Sequence, residues 1–158
     1  MTGKDVLKLI GCIALPVAVG SLSGIATIEP LKDWYVTLNK PSFNPPNQIF
    51  GPVWTTLYIL MGISLYFIVQ QPASKTKTQA LVVFGVQLFL NFWWSIIFFT
   101  FKNLLFALVE IIVLWIFIVA MIYLLRKLKP LAGYLQIPYL LWVSFATLLT
   151  YSIWMLNM

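Results

Sequence analysis

The sequence predicts an all-α membrane protein, a bundle of five transmembrane helices. Of its 158 residues, 61% are hydrophobic and 9% are charged, whereas roughly 45–50% of the residues of a soluble domain are apolar. Five apolar stretches are each long enough to cross a hydrocarbon core of about 30 Å, which takes about 20 residues of helix. Because the spans use most of the chain, residues 1–158 are expected to form a single domain.

We place the spans at about residues 6–27, 48–70, 79–100, 103–125 and 132–156. In the first span, Lys4 and Lys8 precede the apolar stretch, but no small-residue cleavage site with a polar start comes after that stretch. It is therefore interpreted as a retained helix rather than a signal peptide. Three connections are short and rich in breakers and charges, at residues 71–77, 102–103 and 126–130. Only the first connection, at about residues 28–47, is long enough to carry function.

Two features of the spans have both a structural and a functional interpretation. Gly20 and Gly24 form a G-x-x-x-G pattern, which permits close helix approach within the monomer or in a dimer. Glu110 is the only acidic residue inside a predicted span. It is either a functional residue, as intramembrane acids often are, or a residue near Lys102 that snorkels to the interface.

The distribution of basic residues predicts the orientation in the membrane. One side carries seven of them, Lys4, Lys8, Lys75, Lys77, Arg126, Lys127 and Lys129, and the other carries Lys32, Lys40 and Lys102. In a bacterial inner membrane, the N-terminus and the second and fourth connections would be cytoplasmic. The net charge of +6 is then explained by membrane anchoring, and no nucleic-acid partner is expected.

The residue types that are scarce exclude several chemistries. There is no histidine and a single cysteine, Cys12. Ser-His-Asp and Cys-His catalysis, the usual zinc sites and a histidine-ligated haem are therefore excluded. The four acidic residues form no visible pair for acid–base or two-metal catalysis, although Glu29 and Asp33 share the first connection. No metal site is predicted.

The first connection is expected to be an ordered lid. Pro41, Pro45 and Pro46 restrict the backbone before the second span, and Pro52 lies in its first turn. Aromatic residues alternate with these prolines from Trp34 onward. A rigid aromatic lid over a membrane helix is suited to cover a flat apolar ligand.

Three helical stripes are predicted to converge beneath this lid. They are Phe50, Trp54, Tyr58, Met61 and Leu65; Gln87, Asn91, Trp94, Ser95 and Phe98; and Pro138, Trp142, Phe145 and Leu149, with Tyr139 and Ala146 beside the last. The polar members could simply bond neighbouring helices, and a single tryptophan in a span is often a packing or interfacial residue. Trp115 and Trp154 are interpreted in that way. The convergence of three stripes favours a pocket.

The motifs that carry these residues resemble one known family. The segment from Trp34 to Tyr58, the run Q-L-F-L-N-F-W-W-S at residues 87–95 and the run P-Y-L-L-W-V-S-F-A-T-L-L at residues 138–149 are similar to the TspO/MBR family of tryptophan-rich sensory proteins. The resemblance covers nearly the whole chain. It implies a five-helix bundle, commonly a homodimer, that binds porphyrins such as protoporphyrin IX, and also isoquinoline carboxamide and benzodiazepine drugs, beneath the first connection. It also implies that Tyr35, Trp54, Asn91 and Trp142 contact the ligand and that Pro45 and Pro46 shape the lid.

A porphyrin suits the predicted pocket, because its flat π-system needs aromatic faces and its propionates need basic or amide donors. The predicted ligand-binding residues are Tyr35, Lys40, Pro45, Pro46, Trp54, Tyr58, Asn91, Trp94, Trp142, Phe145 and Ala146, and Lys32 is a further candidate partner of a propionate. The lack of histidine favours metal-free protoporphyrin over haem, and no cofactor is required. Thr150 stands where the family often has Asn, and no basic residue follows Tyr151, so cholesterol binding is not predicted.

Three functions are compatible with the predicted pocket and the family resemblance. The first is a tetrapyrrole-binding or sensory protein. The second is an enzyme that promotes light-dependent porphyrin degradation, with Trp54 and Trp142 as redox partners. The third is a transporter or carrier of porphyrins or other small apolar ligands, which ranks last because neither inverted repeats nor paired broken helices are visible.

Overall fold

Long helices account for most of residues 3–158, the part of the chain that the computed structural model describes. The α-helices are α1 (Gly3–Ala26), α2 (Ile28–Asp33), α3 (Asn47–Val69), α4 (Lys75–Ser95), α5 (Leu104–Leu128), α6 (Pro130–Tyr134) and α7 (Ile137–Leu156). A 3₁₀ turn at Tyr35–Thr37 lies in the lid, and a π turn at Ile96–Thr100 extends α4. The predicted all-α class is confirmed.

Five helical stretches are long and apolar enough to cross a membrane, as the sequence predicts. They are Gly3–Ala26, Asn47–Val69, Lys75–Thr100, Leu104–Leu128 and Pro130–Leu156. The chain is therefore a multi-pass integral membrane protein. The third span begins four residues earlier than predicted, because the Ser74 side chain accepts a hydrogen bond from the Lys77 N–H and caps the helix.

Two elements differ from the predicted pattern. The fifth span is interrupted between α6 and α7, because Pro138 has no N–H to bond the carbonyl of Tyr134. The predicted lid at residues 28–47 is not purely a loop, since it contains α2 and the 3₁₀ turn. At the tight hairpin before α5, Lys102 has a φ of 56°, and Asn103 caps α5 by accepting a hydrogen bond from Phe106 N–H.

Glycines bring α1 onto α3. A Cβ atom on Gly62 would overlap the Ile13 backbone and lie 2.8 Å from the carbonyl oxygen of Cys12. A Cβ atom on Gly20 would overlap the ring of Tyr58. Gly20 therefore serves packing within the monomer, one of the two interpretations of the G-x-x-x-G pattern.

The other helices leave a space between α3 and α7. Helix α5 packs against both α4 and α7, whereas the backbones of α3 and α7 lie close together at few positions at most. Aromatic side chains fill part of this space, and the remainder is a cavity beneath the lid.

Candidate functional site: an aromatic cavity beneath the lid

A cavity of about 460 Å³ lies below the lid, among α1, α3, the end of α4 and α7. Its lining is mostly apolar or aromatic. The residues that line it are Val17, Gly20, Ser21, Ser23, Gly24, Thr27, Leu31, Tyr35, Asn47, Phe50, Gly51, Trp54, Thr55, Tyr58, Trp94, Ser95, Phe98, Phe99, Trp142, Ala146, Leu149, Thr150 and Ile153. The exposed members of this set, including Ser21, Asn47 and Thr55, belong to α1 and α3, so the cavity opens between these two helices.

Aromatic rings from α3 and α7 meet across one wall. Trp54 stacks on Tyr58 with ring centroids 5.5 Å apart and an interplanar angle of 26°. Trp54 also contacts Tyr139 edge-on at 6.2 Å, and Phe50 contacts Trp142 edge-on at 5.7 Å. Such pairs contribute about 0.5–1.5 kcal/mol each beyond their burial, so they hold the two tryptophan faces in defined orientations.

The π turn at the end of α4 supplies a second aromatic wall. Trp94 stacks on Phe98 at 5.3 Å and 30°. Tyr35 of the lid packs against the same cluster, 6.1 Å from Phe98 and 5.5 Å from Phe99. Because π turns are frequent at functional sites, this irregularity next to the cavity is consistent with a binding role.

Hydrogen bonds hold the lid in one conformation over the cavity. The Tyr35 hydroxyl donates to Asn44 Oδ1 at 2.9 Å, and Lys40 Nζ donates to the carbonyl oxygens of Tyr35 and Leu38 at 2.8 and 2.9 Å. Burial raises the pKa of Tyr35, an effect that the hydrogen bond to Asn44 partly offsets. The phenol therefore stays protonated and able to donate at neutral pH.

A reciprocal amide contact attaches the lid to the last helix. The Asn39 N–H donates to Asn157 Oδ1 at 2.9 Å, and Asn157 Nδ2 donates to the Asn39 carbonyl oxygen at 2.8 Å. Asn157 Nδ2 also bonds the Ile153 carbonyl oxygen, at 2.7 Å. The position of the lid is thus coupled to the end of α7, a wall of the cavity.

A chain of polar side chains runs from the cavity into the bundle. The Tyr58 hydroxyl donates to Asn91 Oδ1 at 2.7 Å, and Asn91 Nδ2 donates to the Tyr139 oxygen at 3.0 Å. The Tyr139 hydroxyl in turn donates to Gln87 Oε1 at 2.9 Å. The chain links α3, α4 and α7 and satisfies most of the polar groups that these helices bury.

The structure brings six of the predicted ligand-binding residues together at the cavity. Tyr35, Trp54, Tyr58, Trp94, Trp142 and Ala146 all line it. The remaining predicted residues, Lys40, Pro45, Pro46, Asn91 and Phe145, are not among the residues that line it. Their roles in ligand binding stay predictions.

Each of these five residues contacts a residue that lines the cavity or belongs to the lid. Asn91 lies behind Tyr58, and Phe145 packs on Trp142 at 5.7 Å. Lys40 is bound to lid carbonyls, and Pro46 precedes the first residue of α3. These contacts connect Asn91, Phe145, Lys40 and Pro46 to the cavity through a neighbour that lines it or through the lid.

The contribution of α1 to the cavity was not predicted from the sequence. Ser21, Ser23, Gly24 and Thr27 line the cavity, but small residues in an apolar span resemble ordinary helix-packing positions. The signal was present in the spacing of Gly20, Gly24 and Thr27, which places three small residues on one helix face. Thr150 lines the cavity while its hydroxyl donates to the Ala146 carbonyl oxygen at 2.8 Å.

The cavity is electrically neutral. None of the described residues that line it is charged, and residues 3–158 contain no group of three or more potential metal ligands. Glu110 is 7% exposed, and within the described chain neither of its carboxyl oxygens has a hydrogen-bond partner. The suggestion that Glu110 snorkels to the interface is therefore wrong.

The fold and the site define a class: a five-span helical membrane protein with a neutral, tryptophan-lined cavity beneath a lid. Comparison with known proteins identifies the family. The TspO/MBR family profile matches residues 12–155. The chain is 42% identical over 155 residues to the tryptophan-rich protein TspO of Chlorobaculum tepidum, which covers 98% of both chains. It is 38% identical over 124 residues to the human translocator protein, which covers 77% of this chain and 73% of the human one. This chain belongs to the TspO/MBR family.

Proposed function

We propose that the protein binds a tetrapyrrole, with metal-free protoporphyrin IX as the expected ligand, in the cavity beneath the lid. The observation that carries this proposal is the arrangement of Trp54, Trp94 and Trp142 around one cavity. A volume of about 460 Å³ is within the range of small-molecule sites, which is about 300–1,000 Å³. Flat aromatic and drug-like ligands would use the same faces.

The neutrality of the cavity indicates how a porphyrin would be oriented. Its macrocycle would occupy the aromatic interior, and its propionates would point to the opening between α1 and α3. Ser21, Asn47 and Thr55 lie at this opening and carry polar side chains. Lys40, the predicted partner of a propionate, is bound to lid carbonyls and would act by stabilising the lid.

We further propose that the bound porphyrin is degraded in light, with dioxygen as the terminal oxidant and Trp54 and Trp142 as redox partners. Both indole rings line the cavity, and both contact further aromatic rings, Tyr58 and Phe50 respectively. A tryptophan in contact with the excited macrocycle is placed to exchange an electron with it. Binding of the porphyrin requires only aromatic ring faces, whereas its degradation requires the electron exchange of the indole rings.

The test is a titration of the purified protein with protoporphyrin IX in detergent. Tryptophan fluorescence is measured in the dark, and porphyrin absorbance is then followed under illumination with oxygen. We expect saturable quenching and accelerated bleaching in the wild type. The double variant W54F/W142F should retain saturable binding but bleach porphyrin at about the rate of free porphyrin.

The matched control is Trp115→Phe, because Trp115 Nε1 bonds Ser144 Oγ at 2.8 Å and this indole does not line the cavity. This variant should bleach porphyrin as the wild type does. Equal bleaching by W54F/W142F would refute the enzymatic proposal and leave a binding protein. Absence of saturation in the wild type would refute the tetrapyrrole proposal itself.

The assembly and orientation are also proposals. A homodimer is the expected state on the basis of family membership. The excess of basic residues on the side of the N-terminus supports a cytoplasmic N-terminus in a bacterial inner membrane. The lid and the opening of the cavity would then lie near the outer face.

A further inference from the structure

We propose that a second cleft, at the end of the bundle opposite the lid, binds the phosphate group of an anionic phospholipid. The cleft has a volume of about 360 Å³ and is lined by Tyr123, Arg126, Lys127, Pro130 and Tyr134. It lies between the last turn of α5 and the short helix α6. It shares no residue with the aromatic cavity.

The two basic side chains of the cleft are held by aromatic rings. The guanidinium carbon of Arg126 is 5.1 Å from the ring centroid of Tyr134, and Lys127 Nζ is 4.2 Å from that of Tyr123. The stem of Arg126 also packs on Gly133, where an added Cβ atom would overlap its Cγ. Two cations are therefore fixed beside one cleft, which lowers the entropy lost when an anion binds.

The hydrogen-bond donors of these two side chains are available. Within residues 3–158, neither the Arg126 guanidinium nor Lys127 Nζ has a hydrogen bond or an ion pair. Lys77, by contrast, donates to the carbonyl oxygens of Val69 and Gln71 at 2.8 and 2.7 Å. Arginine and lysine with unused donors are the side chains that bind phosphate oxygens.

The position of the cleft favours a lipid as the source of the phosphate. Arg126 and Lys127 occupy the last turn of a membrane-spanning helix, which lies at the depth of lipid headgroups. Tyr123 and Tyr134 are 60% and 53% exposed, as expected for tyrosines at a membrane interface. A phospholipid would place its phosphate in the cleft and its acyl chains along α5.

The charges of the cleft favour an anionic lipid over a zwitterionic one. Both tyrosine rings are already in contact with the protein's own cations, so the ammonium of a choline headgroup would compete with Arg126 and Lys127 for them. It would also meet two like charges. A phosphatidylglycerol headgroup has the same phosphodiester without the opposing cation, and should therefore bind more tightly.

The test is native mass spectrometry of the full chain in detergent with dioleoylphosphatidylglycerol or dioleoylphosphatidylcholine. The wild type should retain more phosphatidylglycerol than phosphatidylcholine. Each basic residue near a membrane surface contributes about 1 kcal/mol to the binding of anionic lipid, or about a fivefold change in affinity. The variant R126Q/K127Q, which removes two basic residues, should therefore bind phosphatidylglycerol about 25-fold more weakly. Arg126→Lys, which keeps the charge but loses the planar fork, should fall between the two.

The control K4Q/K8Q removes two exposed lysines at the start of α1, outside the cleft. It should bind phosphatidylglycerol as the wild type does, and an equal loss in this control would overturn the proposal in favour of diffuse surface charge. Equal retention of both lipids by the wild type would also overturn it. Competition by millimolar inorganic phosphate, with line broadening in ³¹P NMR, would assign the cleft to free phosphate rather than to a lipid.

Discussion

At the scale of single residues, Asn91 shows how one amide can organise the wall of the cavity. It accepts a hydrogen bond from Tyr58, donates to Tyr139 and is 3% exposed. Helical periodicity predicted that Asn91 faces the bundle interior, which is correct. Periodicity gives the direction of a side chain but not its partners, so the two bonds to tyrosines on other helices could not be predicted.

Asn91→Leu should destabilise the bundle more than Tyr58→Phe. The leucine would leave the Tyr58 hydroxyl without its acceptor and the Tyr139 oxygen without its donor, whereas Tyr58→Phe removes one bond and leaves one acceptor free. Loss of a buried hydrogen bond costs about 1–3 kcal/mol, and about 0.6 kcal/mol on average between membrane helices. Thermal unfolding in detergent measures the difference. Equal unfolding midpoints for the two variants would contradict the importance of the Asn91–Tyr139 bond.

At the scale of elements, the lid and the α1–α3 contact set the shape of the cavity. The prolines of residues 41–46 predict an ordered lid, and the structure shows that the lid also contains α2 and the 3₁₀ turn. The attachment of the lid to Asn157 was not predictable, because it joins residues 118 positions apart in sequence. The break between α6 and α7 was missed because hydropathy alone does not detect a single missing hydrogen bond at Pro138.

Asn157→Ala should loosen the lid without unfolding the bundle. The variant removes both hydrogen bonds between Asn39 and the Asn157 side chain. Hydrogen exchange of residues 35–46 should become faster, and bound porphyrin should dissociate faster. Ser152→Ala is the control, since among residues 3–158 the Ser152 hydroxyl bonds only the Leu148 carbonyl oxygen of its own helix. Unchanged exchange in Asn157→Ala would show that the lid is held by other contacts.

Gly62→Ala should separate α1 from α3 and lower stability. The new methyl group would overlap the backbone of Ile13, and overpacking of this kind costs about 1–3 kcal/mol. Gly85→Ala is the matched control, because an added Cβ atom there has no neighbour within 4 Å. The unfolding midpoint of Gly62→Ala should fall, while that of Gly85→Ala should stay the same or rise. A smaller loss in Gly62→Ala than in Gly85→Ala would refute close α1–α3 packing at this site.

At the scale of the whole molecule, composition and span length were sufficient to predict the five-helix architecture. Three aromatic stripes predicted a pocket beneath the lid, and Trp54, Trp94 and Trp142 do line one cavity. Whether Lys40 points toward a porphyrin propionate could not be predicted from the sequence. The direction of its side chain depends on lid carbonyl oxygens that only the folded chain brings together. The same folded arrangement places the two proposed ligand sites at opposite ends of the bundle.

The proposed orientation of the whole chain can be tested by cysteine accessibility. With Cys12→Ser as background, Ser42→Cys places a thiol in the lid and Ala73→Cys places one in the second connection, and both positions are exposed. If basic residues determine the topology, intact bacterial cells expressing these variants in the inner membrane should react with a membrane-impermeant maleimide at Ser42→Cys and not at Ala73→Cys. Permeabilised cells should react at both positions, which shows that each thiol is reactive. The opposite pattern in intact cells would place the lid and the opening of the cavity toward the cytoplasm, and the basic cleft of Arg126 and Lys127 toward the outer leaflet.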